Sequence, residues 1–293
     1  MKPAPFDYHA PETVDEALML LAEHGEEAKA LAGGQSLIPV LNFRLARPAV
    51  LVDLNRIVAL AGIAPAPDGG LRIGAMTRQR EAERSALVAK RSPLIREAMP
   101  HIAHPQIRSR GTLGGSLAHA DPAAELPALA LALEARFRLR RGAQERWIDA
   151  RAFYTGLFAT ALAPDELLVE IVIPALPDGA GCAFEEVARR YGDYALVGVA
   201  AVLAIDAAGV CRAARIACIN AGPGPLRAAH AEAVLSGQRV DAALVQAAAE
   251  AVAHDIDPTS DVHATVAYRR HLARVLTGRV LLRALERARG SAT

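Results

Sequence analysis

The sequence predicts an α+β protein of two domains, on three observations. Short strand-like and helical runs alternate through the first part of the chain. The stretch PALPDGAG, Pro174 to Gly181, then stacks prolines and glycines behind an apolar strand, and beyond it the pattern changes to three strands followed by three helices. At 293 residues the chain is long enough for two domains of ordinary size.

TVDEALMLLAEHG opens with Thr13 and Glu16 in capping-box spacing, places Ala17, Leu18, Leu21 and Ala22 at helical intervals, and stops at Gly25, so it predicts a short amphipathic helix. KALAGG reads as a strand entering a turn. Ser36 is placed to cap a helix from about Leu37 to Leu45, with Pro39 tolerated in its first turn. VLVDLN, LRIGAMT, FRLRR, ERWID and LLVEIVI predict further strands. After the boundary, FEEVARR, ALVGVAAVLAID and CRAARIACIN predict three more, and PLRAAHAEAVLSG, VDAALVQAAAEAVAHDI and VHATVAYRRHLARVLTGRVLLRALERARG predict the helices.

Composition excludes several functions. Hydrophobic residues make up 52% of the chain but aromatics only 4%, so the core must be built from Ala, Leu and Val. With 33 Lys and Arg against 32 acids there is no overall field to attract nucleic acid, and the Arg-rich face of the last helix lacks interleaved aromatics for stacking on bases. No apolar run approaches the ~18 residues of a membrane span, and MKPAPFDYHA lacks the pattern of a signal peptide, so a cytoplasmic location is expected. Cys182, Cys211 and Cys218 are widely spaced, without a C-x-x-C pair, and are expected as buried small hydrophobes rather than cluster ligands. His101 and His104 sit beside Pro105, and no metal site is assigned to them.

The chemistry-bearing pattern is a pair of glycine turns. In ALAGGQSLIPVLNFR, Gly33 and Gly34 precede a predicted helix; in GTLGGSLAHADPAAELPAL, Gly114 and Gly115 lie between Thr112 and Ser116. Paired glycines permit positive φ and remove side chains, so that N–H groups can converge on an anion. Two such turns are able to clamp the two phosphates of a dinucleotide. Neither matches G-x-G-x-x-G or the P-loop. A ligand-free pair of tight turns is the alternative reading of the glycines alone.

Taken with their surroundings, AGGQSLIPVLNFRLARPAVLVDLNRI and IRSRGTLGGSLAHADPAAELPALALALEA resemble the FAD-binding middle subunit of the molybdenum hydroxylases, the carbon monoxide dehydrogenase and xanthine dehydrogenase family. RRYGDYALVGVAAVL, INAGPGPLRAAHAEAVLSG and DPTSDVHATVAYRRHLARVL resemble its C-terminal flavoprotein domain in the same order. The resemblance covers essentially the whole chain. It implies a vanillyl-alcohol-oxidase (PCMH)-type FAD-binding domain at residues 1–176, in two subdomains of about 1–57 and 58–176. Residues 177–293 would form a domain with a three-stranded antiparallel sheet and a helix bundle.

Carried over residue by residue, the resemblance implies that Leu31, Ala32, Gly33, Gly34, Gln35, Ser36, Leu37 and Ile38 wrap the pyrophosphate, and that Thr112, Leu113, Gly114, Gly115 and Ser116 form the opposing turn. Ile102 matches an apolar wall position. Glu125 stands where the family commonly has an Asp that holds the nucleotide, one methylene shorter; Asp121, read as a helix N-cap, is the alternative acid. Tyr194 would lie near the isoalloxazine, with Tyr191 as its rival and a core tyrosine as the structural alternative.

The implied role is the exit of an electron chain. A large molybdopterin-binding subunit and a small subunit with [2Fe-2S] clusters would be the partners, in a dimer of heterotrimers, and electrons would pass through FAD to NAD⁺, oxygen, a quinone or another carrier. No catalytic acid, base or nucleophile is expected here. The other readings are a free-standing FAD-dependent oxidoreductase of the same fold and a nucleotide-binding scaffold subunit. Neither substrate nor acceptor is legible in the sequence.

Overall fold

The computed structural model describes residues 2–290. Strand β1 (Asp7–His9) leads into helix α1 (Val14–His24), where Thr13 Oγ1 accepts from the Glu16 N–H and the Glu16 carboxylate accepts from the Thr13 N–H, the reciprocal cap expected from the sequence. Strand β2 (Ala28–Leu31), helix α2 (Leu37–Asn42) and strand β3 (Val50–Asp53) follow, and the three strands form a parallel sheet in the order β1-β3-β2. Helix α2 is shorter than the predicted Leu37–Leu45. It closes at Arg44, whose φ of 58° turns the chain so that the Leu45 N–H reaches the Val40 carbonyl, and Ser36 makes no side-chain cap.

Strands β4 (Ile63–Pro65) and β5 (Leu71–Gly74) begin a second sheet. Helices α3 (Gln79–Arg84), α4 (Ala86–Arg91), α5 (Pro93–Ala98), α6 (Pro105–Arg110), α7 (Leu113–His119) and α8 (Glu125–Ala132) then run before its next strands, β6 (Arg136–Arg141) and β7 (Gln144–Asp149). Helix α9 (Ala150–Phe153) and the small hairpin β8 (Tyr154–Gly156) and β9 (Ala159–Thr160) precede β10 (Leu167–Ile173), which inserts centrally to give the order β4-β5-β10-β6-β7. Every residue of α8 is buried, as an uninterrupted Ala/Leu run requires.

The last part contains an antiparallel sheet, β11 (Ala180–Ala188), β12 (Ala195–Ile205), β13 (Cys211–Ile219) and the two-residue β14 (Leu226–Arg227), with helices α10 (Ala229–Leu235), α11 (Ala242–Ala251) and α12 (Val266–Gly290). All eleven residues of β12 are buried, so both faces of this sheet are covered. One face packs on α12. The other joins the main apolar core, where Cys182, Phe184, Val202 and Ile219 pack with Phe137, Leu129 and Phe153. The three cysteines are free and buried.

The arginines of α12 are largely spent within the chain. Arg279 and Arg283 pair with Glu185, Arg287 with Glu97, and Arg269, almost fully buried, donates to the Leu196 carbonyl and to Asp261. Leu272, Leu276 and Val280 are buried against the sheet, so the helix uses most of its apolar face internally. Among the described residues no helix is long and apolar enough to cross a membrane.

Candidate functional site

The two glycine turns meet. A Cβ built on Gly33 would lie 2.5 Å from the Arg110 carbonyl oxygen, and one on Gly115 would lie 3.2 Å from the Ala32 Cβ and 4.0 Å from the Gly33 nitrogen. The loop from Leu31 to Ile38 therefore abuts the start of α7 with nothing between the backbones.

Their chemistry differs. Among the described residues the N–H groups of Gly33, Gly34, Gln35 and Ser36 find no protein acceptor, while Gly34 has φ of 73° and Leu31 and Ile38 close on either side of it. A run of unspent N–H groups on bare backbone fits a phosphate. Gln35 turns its side-chain amide back to the Gly33 carbonyl at 3.0 Å, which fixes the turn.

In the second turn the N–H groups are already used: Leu113 donates to the Thr77 carbonyl at 3.0 Å, Gly114 to that of Ala75 at 2.8 Å, Gly115 to Thr112 Oγ1 at 3.0 Å and Ser116 to the Thr112 carbonyl at 3.2 Å. The convergent N–H nest expected there is absent because these residues start a helix and dock it on the segment just past β5, at Ala75 and Thr77. What remains for a ligand is the uncovered Gly115 backbone and the Ser116 hydroxyl, which has no protein partner among the described residues. Gly114 is buried, and a Cβ there would lie 2.5 Å from Ala75 Cβ, so its smallness serves packing.

Two residues that the sequence did not single out hold these turns together. Asn55, just past β3, donates through its side-chain amide to the Ala32 carbonyl at 2.9 Å. Arg78 donates to the Asn55 side-chain oxygen and to the Arg110 carbonyl, both at 2.5 Å, and so ties one turn to the other. No local pattern marks them, since their role depends on contacts made across tens of residues.

Beyond the turns, Ile102 is buried, and the carbonyl groups of Ile102 and the left-handed Ala103 accept from Arg108 at 2.8 and 3.2 Å. Arg108 is itself 4% exposed and doubly bonded to Glu83. Glu125 starts α8, is 6% exposed, and its carboxyl is pushed up to about 8, first by burial and then by the charges of Glu186 and Asp121. Asp121 is not the N-cap: Ala124 holds that position, and Asp121 instead accepts from the Ala123 N–H at 2.9 Å in a local turn.

Tyr194 and Tyr191 separate clearly. The Tyr191 hydroxyl donates to the Pro100 carbonyl at 2.6 Å. Tyr194, 67% exposed, lines a cleft of about 340 Å³ with Asp121, Leu157, Phe158 and Asn220. Its hydroxyl holds its proton more tightly than usual, through the protein crowded around it and the nearby charges of Asp121 and Glu125.

Residues 4–176 match the family model of the FAD binding domain in molybdopterin dehydrogenase, and residues 182–284 match that of the CO dehydrogenase flavoprotein C-terminal domain. The chain is 44% identical over 289 residues to the alpha subunit of the 6-hydroxypseudooxynicotine dehydrogenase complex of Paenarthrobacter nicotinovorans, covering 99% of this chain and 97% of that one. It is 40% identical to the carbon monoxide dehydrogenase medium chain of Hydrogenophaga pseudoflava, covering 98% of each. Among solved structures, a chain of the carbon monoxide dehydrogenase from the same organism, in a form lacking the Mo-pyranopterin moiety of its cofactor, superposes with a TM-score of 0.95 at 41% identity over 98% of this chain and 99% of that one. Quinoline 2-oxidoreductase from Pseudomonas putida 86 gives 0.92 at 38% identity over the full length of both chains.

Proposed function

The chain belongs to the family of FAD-binding subunits of the molybdenum hydroxylases, and we propose that it carries electrons from the [2Fe-2S] centres of a partner subunit to an external acceptor. The partners in this reading are a small iron–sulfur subunit and a large molybdopterin-binding one, assembled as a dimer of heterotrimers. FAD, when bound, supplies exchange between one-electron and two-electron carriers.

The observation that carries the reading is the meeting of the two turns at Gly33 and Gly115 beside four unspent N–H groups. In this reading Gly33, Gly34, Gln35 and Ser36 bind the pyrophosphate through backbone N–H groups, with Leu31, Ala32, Leu37 and Ile38 completing the loop. Thr112, Leu113, Gly114, Gly115 and Ser116 present the facing wall. Ile102 supplies apolar contact, Glu125 a carboxyl to the nucleotide, and Tyr194 shields the ring from water. The chain divides into residues 1–176 for the cofactor and 177–293 as the supporting domain.

Purification of the tagged chain from its own cells tests this. The expected preparation contains two further chains, molybdenum, iron and one FAD per copy of this chain, with the flavin bleached when the complex meets its reducing substrate. A flavin-loaded monomer that oxidises an organic substrate unaided would overturn it in favour of a free-standing flavoenzyme, and a complex without flavin would leave a scaffold subunit.

A further inference from the structure

The unspent N–H groups of the first turn follow carbonyl groups that are all engaged. The Ala32 carbonyl accepts from the Asn55 side-chain amide at 2.9 Å, that of Gly33 from the Gln35 side-chain amide at 3.0 Å, and that of Gly34 from the Ile38 N–H at 3.1 Å. Every described peptide bond is trans, and in a planar trans unit the C=O and the following N–H point in opposite directions. Pinning these three oxygens therefore turns the N–H groups of Gly33, Gly34 and Gln35 away from their protein neighbours. Two of the anchors are local, since Gln35 bonds back two residues and the Ile38 bond belongs to the first turn of α2. The third is not: Asn55 reaches Ala32 across 23 residues. The Gly33 nitrogen that it controls faces the second turn, 4.0 Å from where a Cβ on Gly115 would stand.

The orientation of Asn55 is itself dictated by its partners. A guanidinium has only donors, so the amide oxygen must face Arg78, at 2.5 Å, and the amide nitrogen is left toward two acceptors, the Ala32 carbonyl and the Asp53 carboxylate. A flipped amide would set donor against donor at Arg78 and acceptor against acceptor at both oxygens. Arg78 is fixed in turn by the Arg110 carbonyl at 2.5 Å. A relay of Arg78 and Asn55 thus runs from the backbone just before the second turn to the backbone of the first.

We propose that Asn55 is the positioning residue of the cofactor turn and that Arg78 acts through it: the pair fixes the peptide unit between Ala32 and Gly33 so that the Gly33 N–H already points at the pyrophosphate position in the empty chain. This inference rests on the cofactor reading above and adds to it two side chains that act without touching the cofactor. Preorganisation of a donor raises affinity because its ordering no longer opposes binding. Without the relay this unit has no other anchor among the described residues and rotates until the cofactor orders it.

The experiment strips FAD from the full-length chain, titrates it back by quenching of flavin fluorescence, and records phosphorus NMR of the reloaded chain, which reads the two phosphates directly. Asn55→Leu keeps the size of the side chain and removes its donor. It is expected to bind FAD about tenfold more weakly, and the phosphorus resonances of the FAD it holds at saturation should move toward those of the unbound cofactor. Arg78→Met should shift them in the same direction with a loss of about threefold. The double variant should lose less than the product of the two, because Arg78 acts through Asn55. Residues that only hold the fold would lower Tm and leave the bound phosphates unchanged, so phosphorus resonances at their wild-type positions in the variants overturn the proposal, as does strict multiplication of the two losses. Arg78→Met alone decides the first criterion if Asn55→Leu fails to fold. A wild-type chain that binds no FAD removes the cofactor reading and this inference with it, whereas wild-type binding with unmoved resonances in the variants removes the inference alone.

Discussion

Gly33 lies so close to Arg110 that a methyl group on it would stand 2.5 Å from the Arg110 carbonyl oxygen and 2.7 Å from the Gly111 Cα. Both obstacles are backbone, which cannot rotate away. Gly33→Ala must therefore push the two turns apart, at a cost of roughly 1–3 kcal/mol if the loop yields. The expected result is a folded chain that loses most of its FAD on gel filtration; a wild-type ratio of flavin to protein would show that the spacing of the turns does not matter.

Gly34 and Gly114 should fail in different ways. Gly34 has φ of 73°, so Gly34→Ala strains the turn by roughly 1–2 kcal/mol and disturbs the unspent N–H groups directly. Gly114→Val instead drives a branched side chain into Ala75 behind the turn. Melting curves and flavin content together distinguish them: Gly34→Ala should lose cofactor with only a few degrees of Tm, Gly114→Val should lose Tm first. Identical profiles would contradict the assignment.

Tyr194→Ala is expected to retain FAD while changing its fluorescence and the rate at which reduced flavin reacts with oxygen, because the ring lines the cleft and its hydroxyl has no protein partner among the described residues. Tyr191→Phe removes the hydrogen bond to Pro100 and should leave flavin fluorescence unmoved. Reversal of the two results would assign the ring contact to Tyr191.

In the cofactor-free chain, Glu125 imposes a pH dependence on folding. Its carboxyl rises from an ordinary value of 4.5 to about 8 in the folded state, so the folded form holds a proton that the unfolded form releases. The contribution is fully present below pH 4.5 and is lost as pH climbs toward 8, by an amount on the order of a few kcal/mol. Glu125→Gln should flatten the fall in Tm between pH 5 and pH 8 (roughly the span of the two ionisations). An unchanged slope would mean that Glu125 ionises freely.

The cysteines should be inert. Burial pushes the Cys182 thiol up to about 11 and the Cys218 thiol to about 12, with Cys211 also raised, so little thiolate exists near neutral pH. A thiol reagent at pH 8 should label none of them quickly in the native chain and all three after denaturation. Rapid labelling of one would reveal an opening that the packed structure does not contain.

What the sequence disclosed was chiefly local. Thr13 and Glu16 announced the start of α1 because both halves of that cap lie within one turn. The runs at Val50–Asp53 and Leu167–Ile173 announced their strands through β-branched and apolar composition. By contrast, the six-residue helices between Gln79 and Arg110 are too short to show a periodic face, and Arg44 in a left-handed conformation gave no glycine to mark where α2 stops. At the candidate site the glycines could be read, but not that Gly114 serves packing, nor that Asn55 and Arg78 tie the two turns together. Those depend on which face of which strand meets which turn.

The placement of β11 also bears on protein engineering. Pro174 to Gly181 resembles a seam for joining one relative's front half to another's back half. Yet Cys182, Phe184, Ala200, Val202 and Ile219 complete an apolar core begun by Leu129, Phe137 and Phe153. A chimera cut at that stretch would mate two surfaces that had never been selected together, leaving voids or clashes worth several kcal/mol by the usual cost of mismatched core residues. The opposite face of the same sheet packs on α12 through Val197, Val199, Leu203, Leu276 and Val280, so a crossover before α10 would break that core in turn, and exchange between relatives should move the whole chain.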